Sequence, residues 1–206
     1  MTNLIVISPA EDVSDEINIV NNLFDNGLEL FHIRKPQYTE YELIRYIEKI
    51  SPEYLSKVSI HQHHQIVKGY DIRYLHYNET ARKEGATNYF LNYEGQKITQ
   101  STSCHNWRDV TELQAFFEYC FFSPVYDSIS KQGYMQKISK DFKISANETN
   151  VKVFALGGIN SKNVTDVLDR GFYGVAVLGA IWSQTNDSLN VFKELYKKCK
   201  LYANLY

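Results

Sequence analysis

Short β-branched runs alternate along this chain with longer stretches whose apolar residues recur at helical spacing. Leu4–Ile7 (LIVI) reads as a first strand, and Ile17, Val20, Leu23 and Phe24 give the stripe of a helix that Asn26-Gly27 ends. Leu28–Ile33 (LELFHI) alternates as a second strand. Thr39, with Glu42 three residues on, predicts a capping box for a helix carrying Leu43, Tyr46, Ile47 and Ile50, closed by Pro52. Lys57–His61 and Tyr74–Tyr77 are the expected third and fourth strands, with a short helix through Ile66 and Val67 between them. Residues 80–96 hold little periodic apolar content and predict a truncated crossover. A fifth strand is expected at Ile98–Ser103, a helix at Trp107–Phe116, a sixth strand at Tyr119–Ser123 and an irregular helix at Ile138–Ile144. Val151–Gly158 follows as the seventh strand, then a helix over Asn163–Arg170 stopped by Gly171. Gly174–Leu178 is the eighth strand, and an amphipathic helix over Leu189–Tyr202 completes the pattern.

Eight strands alternating with helices in 206 residues predict an α/β fold, a (β/α)8 TIM barrel forming a single domain over residues 1–206. The rival is an open doubly wound sheet. Its common nucleotide-binding form is disfavoured, because Ile7-Ser8-Pro9-Ala10 stands where a GxGxxG turn would follow the first strand.

Composition narrows the partners. A formal charge of −2 and a pI near 6.3 lack the footprint of a nucleic-acid binder. No apolar run approaches the roughly 18 residues of a membrane span, and no basic leader precedes the first apolar stretch, so a cytoplasmic location is expected. Cys104, Cys120 and Cys199 are too scattered for a disulfide framework and read as free thiols. The expected partners are phosphorylated small molecules, with neither nucleic acid nor membrane, and a homo-oligomer is compatible with the sequence.

Barrel enzymes place their chemistry at the C-terminal ends of strands. The second strand ends in His32-Ile33-Arg34-Lys35-Pro36, whose adjacent cations suit either an anion site or solvated surface. The third ends in His61-Gln62-His63-His64, near His32 and His76 on its neighbours. A metal-binding reading of the His32, His61, His63 and His76 group lacks carboxylate partners and an HxxxH spacing, which favours polar rim histidines. At the fifth strand Ser103 and His105 face the same way, fit for hydrogen bonding or acid–base work, without the G-x-S-x-G elbow of an acyl-transfer serine. Ser128, Ser130 and Lys131 follow the sixth strand and suit either a phosphate cradle or a serine-rich turn. Gly157 and Gly158 after the seventh strand, with Gly179 after the eighth, let backbone N–H groups approach a phosphate.

In order along the chain, LFHIRK, STSCH, FFSPVYDSISK, VFALGGINSKNV and GVAVLGAI resemble the family of thiamine phosphate synthases and thiazole tautomerases over nearly the whole length. The resemblance implies an enzyme joining an aminopyrimidine methyl diphosphate to a hydroxyethylthiazole phosphate, with Mg²⁺ helping diphosphate depart. The alternatives are a metal-independent thiazole tautomerase or a non-catalytic phosphate-binding barrel. Carried over by position, Arg34, Ser103 and Lys131 contact the diphosphate and Lys35 replaces a second cation that Pro36 displaces. Ser128 and Ser130 stand for the threonines of a T-x-T-K motif, and His32 is placed among the substrate-binding residues. Gly157, Gly158 and Gly179 cradle the thiazole phosphate, and His105 matches the tautomerase base. Departures fall on the metal: His61-Gln62 replaces Asn-Asp, so Gln62 stands where a Mg²⁺ carboxylate is expected, and Glu79 is left as the metal carboxylate.

Overall fold

The computed structural model describes residues 3–85, 92–93, 96–126, 139, 141–145 and 148–203. Eight strands close into a barrel: β1 (Leu4–Ile7), β2 (Phe31–Ile33), β3 (Val58–Ile60), β4 (Tyr74–Tyr77), β5 (Thr99–Cys104), β6 (Phe117–Phe122), β7 (Lys152–Leu156) and β8 (Gly174–Val177). Each pairs in parallel with its sequence neighbour, and β8 returns to β1 with Leu4 opposite Val175. The TIM barrel expected from the alternation of periods is therefore the fold observed.

The helices are α1 (Glu16–Asp25), α2 (Glu40–Ile47), α3 (Glu79–Lys83), α4 (Trp107–Thr111), α5 (Val164–Asp169), α6 (Gly179–Trp182) and α7 (Ser188–Ala203). Thr39 and Glu42 form the reciprocal capping box at the start of α2. None of these helices is long and apolar enough to cross a membrane.

Differences from the expected elements have local causes. β2 begins at Phe31 rather than Leu28, because the Gly27 and Leu28 N–H groups close the end of α1 on the Phe24 and Leu23 carbonyls. α4 stops at Thr111 instead of reaching Phe116, since Phe117 already enters β6. The thin crossover after β4 contains the five-residue α3 and a two-stranded antiparallel ribbon, Asn92–Tyr93 with Gln96–Lys97. The described residues of 138–144 form no helix. There the Ile144 N–H donates to the Arg170 carbonyl and Phe142 packs edge-on to Trp107.

Side-chain alternation divides the buried residues into two sets. A large cluster lies between sheet and helices and includes Phe31, Ile33, Val58, Ile60, Leu75, Cys104, Val153 and Val175. A small one, with Ile5, Ile7, Leu30, Tyr119, Phe121, Phe154 and Ala176, fills the barrel interior. The interior is apolar where β1, β6, β7 and β8 line it. On the β2–β5 side it carries the buried polar residues His32, Ser59, His76 and Ser101. All three cysteines are buried free thiols.

Candidate active site

Arg34 and Lys35 leave β2 in opposite directions. Leu30 and His32 face the interior and Phe31 and Ile33 the helices, so alternation sends Arg34 to the mouth and Lys35 outward. The Arg34 guanidinium is half-buried and makes no hydrogen bond or ion pair among the described residues. Its backbone is pinned by Ser8 at the end of β1, whose Oγ accepts from Arg34 N–H (2.8 Å) and donates to the Arg34 carbonyl (3.2 Å). Lys35 is fully buried. Its ammonium donates to Glu16 Oε2 (2.7 Å), Asp12 Oδ1 (3.1 Å) and the Glu11 carbonyl (3.1 Å), between the rings of Tyr38 and Tyr46. The expected second diphosphate cation is thus bound into the contact of β2 with α1 and α2. Those charge-assisted bonds satisfy all three of its protons.

His32, His61 and His76 converge inside the barrel rather than on its rim, because all three occupy inward positions of adjacent strands. His32 and His76 are buried and His61 is half-buried. His32 Nδ1 lies 3.0 Å from His61 Nε2, and His32 Nε2 lies 2.8 Å from the Tyr119 hydroxyl. The His61 and His76 rings stack at 4.2 Å. His76 Nδ1 and Nε2 are each 2.9 Å from a serine hydroxyl, of Ser101 and Ser103 respectively. Ser101 Oγ donates to the Leu75 carbonyl, so it accepts from His76 Nδ1–H, and Nε2 is left to accept the Ser103 proton. Burial holds all three imidazoles well below the ordinary histidine range, His76 at about 3, with neighbouring cationic groups adding to the effect. His63 stands apart, on a left-handed residue, with its Nε2 3.0 Å from the Tyr38 carbonyl.

At the end of β5, His105 Nδ1 is 2.9 Å from the Ser123 carbonyl. A carbonyl only accepts, so Nδ1 donates to it, and Nε2 lies 4.0 Å from Glu79 Oε2. Glu79 is not a free metal ligand. Its carboxylate is held by Lys83 (2.7 Å) and Arg82 (3.7 Å), which also hold Asp109 at 3.4 and 3.3 Å. Gln62, in the position expected for an aspartate, donates its amide to the Lys35 and Tyr38 carbonyls. Mg²⁺ requires a near-octahedral shell of oxygens. The described residues do not fit a dedicated Mg²⁺ site, since both nearby carboxylates are neutralised and Gln62 points its donor at backbone.

Gly157 and Gly158 follow β7 with φ of +101° and +64°, and the Gly158 carbonyl accepts from the side-chain amides of Asn160 (3.4 Å) and Asn163 (2.9 Å). A Cβ at Gly157 would lie 3.0 Å from Pro124 Cα and Cβ, so close backbone packing requires this glycine. Gly179 opens α6 with nothing within 4 Å of the point a Cβ would occupy, leaving open space before the leading N–H groups of a helix. Ser128, Ser130 and Lys131 lie outside the described residues.

Four contributors escaped sequence reasoning: Ser8, Tyr119, Asp109 and Ser123. Alternation from Phe121 places Tyr119 in the interior and was available as a signal. The other three act through backbone groups or ion pairs that only the closed barrel brings near.

The thiamine monophosphate synthase family model matches residues 4–181. The thiamine-phosphate synthase of Flavobacterium johnsoniae is 22% identical over 212 residues, covering 97% of this chain and 96% of its own. A thiamine phosphate pyrophosphorylase structure from Bacteroides thetaiotaomicron is 27% identical with a TM-score of 0.71, covering 98% of both chains. One from Pyrococcus furiosus, 17% identical with a TM-score of 0.71 over 98% of this chain and 96% of that one, shares the fold. With the match running from β1 into α6, through every strand of the barrel, the chain belongs to the thiamine monophosphate synthase family.

Proposed function

We propose that this barrel joins an aminopyrimidine methyl diphosphate to a hydroxyethylthiazole phosphate, releasing diphosphate, as a cytoplasmic enzyme of thiamine biosynthesis. The observation that carries the reading is the Arg34 guanidinium, which makes no side-chain hydrogen bond or ion pair among the described residues, at the same mouth as the Gly157, Gly158 and Gly179 backbone. A reaction with two phosphorylated substrates needs two separate anion sites, and these features belong to β2 and to β7 and β8, with β1 between them. The C–O bond to diphosphate breaks, its electron pair leaves on oxygen, and the thiazole nitrogen supplies the pair for the new C–N bond. Charge developing on the departing diphosphate is stabilised by Arg34, and Lys131, Ser128 and Ser130 are proposed to contribute to the same stabilisation. Mg²⁺ is the ion expected for this chemistry, and the described residues do not form its shell. The test is formation of thiamine phosphate from both substrates, followed by chromatography. Absence of product at high enzyme and metal concentration sinks the assignment.

A second reading is a metal-independent thiazole tautomerase, favoured by the His105 tautomer. Nδ1–H is held on the Ser123 carbonyl, so Nε2 is the nitrogen left to exchange a proton with a substrate carbon. Isomerisation that survives EDTA and disappears in His105→Ala supports it, and full activity in that variant removes His105 as the base.

A further inference from the structure

We propose that His32, His61 and His76 form a three-nitrogen site for a borderline divalent transition-metal ion, zinc(II) foremost. They are the one group of three metal-ligating side chains among the described residues, each offering a nitrogen within 4.8 Å of the others. Tetrahedral zinc with Zn–N bonds of about 2.0–2.1 Å sets its ligand nitrogens roughly 3.3 Å apart, so small ring rotations close the site. Between His32 Nδ1 and His61 Nε2 the separation is 3.0 Å, already that of two ligands with one proton between them. A metal ion takes the place of that proton, which passes to the other nitrogen of the ring that carried it, so both ligands stay neutral.

The surroundings of two of the three match what metal-bound histidines require. A ligating imidazole is oriented by a hydrogen bond at its other nitrogen. Tyr119 serves His32 in this way, and Ser101, fixed by the Leu75 carbonyl, serves His76. His76 Nε2 carries the lone pair, offered at present to the Ser103 hydroxyl, which is free to rotate away. Neutral imidazoles suit zinc, nickel and copper and give Mg²⁺ nothing it prefers. Three nitrogens leave a fourth position for water or a substrate oxygen. Arg34 opposes a further positive charge nearby, which weakens the site relative to one lined by thiolates.

The experiment uses the full chain without a histidine tag, stripped of metal and titrated with Co²⁺ as the spectroscopic probe and Zn²⁺ as competitor. One Co²⁺ per chain is expected, with visible absorption typical of tetrahedral coordination that Zn²⁺ abolishes. His61→Ala, at the half-buried member, is expected to weaken binding at least about tenfold, and Ser101→Ala to weaken it while circular dichroism stays unchanged. His63→Ala is expected to bind as the parent does. Failure of the parent chain to take up Co²⁺ or Zn²⁺ at about 100 μM overturns the site, as does equal weakening by His63→Ala. The readout is a spectrum, so it stands or falls independently of which thiamine-pathway reaction the mouth performs.

Discussion

The Lys35 ammonium sits 2.7 Å from Glu16 Oε2, with the two side chains 0% and 5% exposed. Tyr46 donates to the other Glu16 oxygen at 2.6 Å, completing a buried polar cluster between β2, α1 and α2. Removing one partner of such a pair strands a charge without solvent, which typically costs about 3–5 kcal/mol. Lys35→Met is therefore expected to lower stability by that order, measured from denaturant midpoints. The double variant Lys35→Met, Glu16→Met is expected to be more stable than Lys35→Met alone. A Lys35→Met protein as stable as the parent would contradict this role.

The neighbouring cation is expected to behave in the opposite way. Arg34 makes no side-chain hydrogen bond or ion pair among the described residues, so Arg34→Ala is expected to fold with unchanged stability. Its loss should weaken inorganic diphosphate binding at least about tenfold, about 1.4 kcal/mol, and flatten the salt dependence of that binding. Calorimetry at two ionic strengths checks both effects, and parent-like affinity in the variant would move the diphosphate site away from β2.

This pair illustrates how much was legible in the sequence. The order of strands and helices followed from apolar periodicity, and β1 and β4 from β-branched and aromatic runs with turn signals at their ends. Period-two alternation, applied through Ile33, also separates Arg34 from Lys35. Resemblance alone treated the two cations as neighbours at one site. The histidine group was visible as residue types near three strand ends, but its position inside the barrel depended on all three strands sharing inward parity. Glu79 was legible as a carboxylate just after the fourth strand. Its capture by Lys83, one helical turn on, and by Arg82 depended on α3 forming, in a segment whose periodicity is weak.

That capture makes a prediction about Mg²⁺. If Glu79 serves as the counterion of Lys83 and Arg82, Glu79→Gln should leave the Mg²⁺ affinity of the substrate-free chain unchanged. The group is partly exposed, so the expected stability loss is small, on the order of 1 kcal/mol or less. Mg²⁺ titration of parent and variant, followed by calorimetry, decides it. A site in the parent that vanishes in Glu79→Gln would restore this carboxylate as a metal ligand.

Gly157 and Gly179, both in the proposed phosphate cradle, separate a folding role from a proposed binding one. Gly157 has φ of +101°, and a Cβ there meets Pro124 at 3.0 Å, so Gly157→Ala combines backbone strain with a steric clash. A cost on the order of 1–3 kcal/mol in stability is expected from such a left-handed position alone. Gly179 has no positive φ and open space around the position of a Cβ, so Gly179→Val is expected to fold normally. In the proposed cradle a phosphate approaches the leading N–H groups of α6 through that space, which the valine side chain would fill. Thiazole phosphate affinity is therefore expected to fall at least about tenfold in Gly179→Val, about 1.4 kcal/mol. Thermal melts and calorimetry on both variants give the comparison: stability lost at Gly157, affinity lost at Gly179. A folded Gly179→Val that binds the phosphate as tightly as the parent would place the cradle elsewhere, and with it the argument for two anion sites at one mouth would fail.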